Sequence, residues 1–164
     1  MKLRLDCRFF KGDKPCQYHH LCHGCGHYSP LGKKILVIKL EAMGDVLRTT
    51  PILTGLKKKY PRSHISWLTK KESIPLLENN PLIDRILPYD FDSRLRLEVE
   101  TFDLVISLDK GAGAAALATL VKSDERVGYA LSKEGNIYPL NKKAEYSFNL
   151  GLSNELKFTR NKKT

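Results

Sequence analysis

Apolar and polar positions along this chain alternate between short apolar runs and longer stretches with helical spacing. "KILVIK" (34–39) is a near-continuous apolar run between lysines and predicts a buried strand. From 45 to 60, Val46, Leu47, Leu53, Leu56 and Tyr60 recur on one helical face. Pro51 should kink that helix, because proline lacks a backbone donor and its ring clashes with the preceding turn. "HISWLT" (64–69) predicts a second strand, and "ESIPLLENN" a short helix stopped by the Asn79-Asn80-Pro81 turn. "IDRILPY" (83–89) predicts a third strand, and the charged stretch 90–101 includes a short helical piece. "FDLVISL" (102–108), "GAGAAALATLVK" (111–122) and "RVGYAL" (126–131) then read as strand, small-residue helix and strand. This order predicts an α/β fold, a Rossmann-like parallel sheet with helices on both faces. Residues 132–164 show few apolar positions and no period, end in "TRNKKT", and read as a chain that stops in mid-course. There is no internal repeat.

Residues 1–33 form a separate compositional unit, holding all four cysteines and four of the five histidines of the 164-residue chain. The spacing is Cys7-x8-Cys16-x5-Cys22-x2-Cys25, and its C-x-x-C pair can grip one metal ion from a tight turn. Gly12, Pro15, Gly24 and Gly26 supply turn residues, and His19, His20, His23 or His27 can replace a cysteine. The spacing predicts a structural metal knuckle, zinc ahead of an iron–sulfur cluster, against the alternative of free thiols in a solvated histidine-rich loop. A closed site with four ligands would be structural, since catalytic zinc keeps a position open.

Net charge is +10, and it is unevenly spread. Residues 1–40 carry +6, residues 141–164 carry +4, and the segment between is neutral. Basic ends suit phosphates on nucleic acid, lipid or sugar, or are solvated tails. The alternative function this raises is a zinc-knuckle protein binding nucleic acid. The neutral middle and the lack of aromatics interleaved with lysines speak against it, so no nucleic-acid partner is expected. No apolar run reaches the roughly 18 residues of a membrane span, and charges interrupt the N-terminus where a signal peptide would be apolar. The expected location is the cytoplasm, with peripheral contact at the inner membrane left open.

"GAGAAA" (111–116) matches the dinucleotide fingerprint G-x-G-x-x-A. It follows the fourth strand rather than the first, and the next strand ends without the acidic residue that a nicotinamide cofactor requires. Close helix–sheet packing is the better reading. The turn after the first strand, 40–45, is the better site, since ligands of open α/β sheets bind beyond the carboxyl ends of the strands. Asp45 there is either a helix cap or a chemical group; Arg48 stands where a capping box would place Glu or Gln.

"KILVIKLEAMGDVLRTTPILTGLKKKYPRSHISWLT" resembles the start of glycosyltransferase family nine, the lipopolysaccharide heptosyltransferases. The likeness continues through "NPLIDRILPYD", "FDLVISLDK" and "RVGYAL", and so covers roughly residues 34–164. "DCRFFKGDKPC" is similar to a subset of that family with a cysteine-rich extension. The resemblance implies the N-terminal, acceptor-binding half (34–164) of a two-domain GT-B enzyme, behind an extension (1–33). It implies inverting transfer from a nucleotide-sugar such as ADP-heptose to a hydroxyl of a glycan or lipid-linked saccharide. Asp45 would be the general base, with Met43 and Gly44 shaping the turn and Thr49 and Thr50 bonding the acceptor. The positive end of a helix favours the carboxylate anion, so this base would orient the hydroxyl and take its proton late. The donor would bind a second domain that this sequence does not include, so the polypeptide alone is expected not to transfer sugar.

Overall fold

The computed structural model describes residues 3–12 and 14–160. Its elements run β1 (Lys34–Ile38), α1 (Met43–Thr49), α2 (Ile52–Lys59), β2 (His64–Thr69), a 3₁₀ helix (Lys71–Leu76), β3 (Arg85–Pro88) and α3 (Phe91–Val99). They continue with β4 (Thr101–Ser107), α4 (Ala112–Leu120), β5 (Lys122–Leu131), β6 (Ile137–Pro139) and α5 (Lys142–Leu152), followed by a short π-helical turn (Leu156–Arg160). The sheet order is β3-β2-β1-β4-β5-β6. The first five strands are parallel and β6 is antiparallel to β5. This is the expected Rossmann-like fold, with β1 central and its chain order reversing between β1 and β4.

Strand periodicity divides β1 between two cores. Leu36 and Ile38 join Leu97, Phe102, Ala114, Leu117 and Ala118 on the face covered by α3 and α4. Ile35 and Val37 join Val46, Leu53, Trp67 and Leu77 on the face covered by α1, α2 and the 3₁₀ helix. Each fully buried aliphatic side chain contributes about 1.5–3 kcal/mol, so both helix layers are held chiefly by this burial. Ala114, Ala115 and Ala118 are buried, so the small-residue helix brings its backbone close to the sheet.

Three expectations need correction. The single helix expected over 45–60 is two helices, broken at Thr50-Pro51 because proline has no N–H to continue the ladder. Thr50 instead donates to Leu47 one turn back, and Leu53 donates to Thr50. The helix expected in "ESIPLLENN" starts and ends earlier, as a 3₁₀ helix with Pro75 inside. Residues 132–160 are not patternless. They form β6 and α5, whose Asn141 carboxamide accepts from the Ala144 amide at 3.3 Å. The α5 core contact is one small residue, Ala144, so no apolar stripe marked it in the sequence. The basic end beyond Arg160 lies outside the described residues.

Candidate functional site

The site is built where β1 hands over to α1. Residues 39–42 leave the sheet at its carboxyl edge, beside the end of β4, which is the switch point of the strand order. Lys39 and Asp109 are both buried, and the Lys39 Nζ donates to Asp109 Oδ1. The other carboxylate oxygen of Asp109 accepts from the Leu40 amide and, at 3.1 Å, from the Glu41 amide. One side chain following β4 therefore ties three groups of the loop that follows β1. Glu41 adds an exposed ion pair with Lys70 at 3.1 Å, linking the loop to the end of β2.

The next residue, Ala42, has φ 45° and ψ 120° and precedes α1 without any side-chain cap. A non-glycine residue in this region costs on the order of 1–3 kcal/mol, so surrounding contacts must hold it. Val46 donates to the Ala42 carbonyl at 3.0 Å and starts the helix. Met43, Gly44 and Asp45 form the exposed first turn. The Asp45 side chain is 53% exposed and lies 3.6 Å from the Arg48 guanidinium. It makes no capping bond, so the cap alternative for Asp45 is not what the geometry shows.

Thr49 and Thr50 lie at the far end of α1. Their hydroxyls donate to the Asp45 and Leu47 carbonyls at 2.7 and 2.9 Å, leaving only lone pairs for a ligand. Lys39 and Asp109 were missed from the sequence. "IK" and "LDK" each show a charged residue directly after an apolar strand, but nothing in one dimension says that the two meet.

The cysteine unit does not assemble as expected. Among the described residues no group of three or more His, Cys, Asp or Glu side chains comes together to hold a metal ion. Cys7, Cys16, Cys22 and Cys25 are free, half-buried thiols bordering one cavity of about 380 Å³. Their loops are held by other contacts: Cys7 bridges to Pro30, and Tyr18 stacks on His27 at 4.0 Å. The structure therefore lends no support to a zinc or iron–sulfur ligand set.

The fold is a Rossmann-like sheet with helices on both faces, and known proteins share it. No family model matches the chain. The lipopolysaccharide core heptosyltransferase OpsX of Haemophilus influenzae is 23% identical over 126 residues, which cover 71% of this chain and 36% of that protein. The crystal structure of the glycosyl transferase family 9 from Veillonella parvula superposes with TM-score 0.53 and 29% identity, over 60% of this chain and 32% of that one. The E. coli heptosyltransferase WaaC with ADP gives TM-score 0.51 and 22% identity, over 58% of this chain and 36% of that one. The chain shares its fold with these glycosyltransferases over some 60% of its length and spans about a third of theirs.

Proposed function

We propose that residues 34–164 are the acceptor-binding part of a sugar transferase that uses ADP-heptose or a similar donor and acts on lipopolysaccharide core saccharides. Residues 1–33 form an extension to it. In this reading a second domain, outside this sequence, binds the donor. The attacking hydroxyl of the acceptor forms a bond to the anomeric carbon from the face opposite the diphosphate. The bond from that carbon to the phosphate oxygen breaks, and ADP leaves with the electron pair. Asp45 accepts the hydroxyl proton, so configuration inverts without a covalent enzyme intermediate. Met43 and Gly44 shape the turn on which the saccharide rests, and the Thr49 and Thr50 oxygens accept from its hydroxyls. Attachment to the inner membrane from the cytoplasmic side would bring the site to a lipid-linked acceptor. No helix among the described residues is long and apolar enough to cross a membrane.

The observation that carries this reading is Asp45 itself, a half-exposed carboxylate in the first turn of α1, directly after the anchored loop at the switch point. The nucleic-acid alternative gains nothing from the structure. Arg8, Lys33, Lys34 and Lys39, half of the basic residues in 1–40, are engaged with Asp84, Glu125, Glu100 and Asp109 rather than lining a groove. The test is titration of the isotope-labelled chain with a lipopolysaccharide core saccharide. Shifts in the amides of Gly44, Asp45, Thr49 and Thr50 support the reading. Saturating saccharide with no shift there overturns it.

A further inference from the structure

We propose that Asp109 is a positioning residue, which sets the place of Asp45 by acting as the common acceptor for the loop between β1 and α1. The proposal rests on the reading of Asp45 as the base, but its principal test does not. Asp109 is 3% exposed and lies two residues past the end of β4. Its carboxylate has one oxygen on the Lys39 ammonium and the other on two successive backbone amides, Leu40 and Glu41. Both amides have left the sheet ladder, and that of buried Leu40 would otherwise be a donor without a partner beside the core. Between them and α1 only Ala42 intervenes, held at φ 45°. A backbone in that region keeps its place only when both flanks are fixed. One flank is α1, seated by buried Val46; the other is the pair of amides on Asp109. The position of the Asp45 carboxylate is therefore determined across the switch point from β4.

The division of labour between the two carboxylate oxygens gives a specific test. Removing Asp109 alone would leave a buried ammonium unpaired and unfold the protein for reasons unrelated to positioning. The two double variants Lys39→Met/Asp109→Asn and Lys39→Met/Asp109→Ala both lack the charge pair. The first keeps a carbonyl oxygen for the Leu40 and Glu41 amides, and the second does not. Asp84→Asn serves as a control. It removes a carboxylate bonded to the Ile65 amide at 2.8 Å and to Lys57, on the strands' amino-terminal edge.

Hydrogen exchange of individual amides is the readout. The alanine double variant should exchange about tenfold or more faster at residues 40–46 than the asparagine double variant, with β2 and β5 equally protected in both. Asp84→Asn should leave 40–46 unchanged. In a transfer assay with a supplied donor domain, the alanine double variant should lose about a hundredfold in kcat with little change in acceptor KM, as expected for a misplaced base. Equal exchange at 40–46 in the two double variants overturns the positioning role. Faster exchange with unchanged kcat overturns the link to Asp45 while leaving the anchor in place. Absence of transfer by the unmutated protein counts against the proposed function, not against the anchor. If neither double variant folds, the unmutated protein decides: Leu40 and Glu41 amides protected well beyond the exposed first turn of α1 support the anchor, and amides that exchange as fast as that turn overturn it.

Discussion

The Asp45 carboxylate lies 3.6 Å from the guanidinium of Arg48, one helical turn along, and both side chains are largely open to solvent. An exposed ion pair of this kind contributes little to stability. Asp45→Asn should therefore cost less than about 1 kcal/mol, measured as the urea midpoint of unfolding. A larger loss would mean that Asp45 has a structural role that the geometry does not show.

Gly128 carries φ 107° in β5, beside Ser107 of β4. A Cβ there would sit 1.7 Å from the Ser107 carbonyl oxygen, an impossible approach between two paired backbones. Gly128→Ala should cost about 3 kcal/mol or more, or prevent folding. Gly135 also has a positive φ, 82°, but open space around it, so Gly135→Ala should cost about 1–2 kcal/mol. Comparable losses for the two would contradict the close approach of β4 and β5.

Acid should destabilise the protein in two stages. Burial of His64 lowers its pKa below the ordinary 6.5, against the opposing pull of Asp84 and Glu100 and alongside the charges of Arg85 and Arg8. The unfolded chain then binds this proton more readily, so stability present above about pH 6.5 is lost as pH falls. Asp84 is pushed up by burial, but the Lys57 hydrogen bond and the Ile65 amide outweigh that and hold it below its ordinary 3.8. Its contribution is present above pH 3.8 and is lost below it. Urea midpoints should fall between pH 7 and 5 and again below 4, and His64→Gln should remove the first fall. A flat profile from pH 7 to 5 would contradict the burial of His64.

The four cysteines are free thiols around one cavity. Metal-free native protein should show all four to a small thiol reagent, with no mass deficit from disulfides. If all four are protected and one metal ion is retained per chain, the N-terminal loops bind a metal in an arrangement different from this one.

How much of this was visible in one dimension depended on how strongly each element patterned its own sequence. β1, β2 and β4 are buried on both faces, and such strands write continuous apolar runs. The turn bearing Asp45 was legible because a strand, a glycine and a helix follow one another there. The break at Pro51 was legible as a kink and proved to be a full interruption. β6 and α5 were not legible, because a three-residue strand and a helix with a single small core contact carry no period. Asp109 was hidden for another reason. Its partners are 68 to 70 residues away, and a long-range polar contact leaves no local signal.

The role proposed for Asp45 is to take the acceptor proton. Its most direct test fuses the chain to the donor-binding domain of a heptosyltransferase and follows sugar transfer from ADP-heptose to a lipopolysaccharide core saccharide, with Asp45 and with Asp45→Asn. The unmutated fusion should transfer sugar, and the variant should lose about a hundredfold or more in kcat with saccharide binding and stability retained. Transfer at an undiminished rate by Asp45→Asn would contradict it.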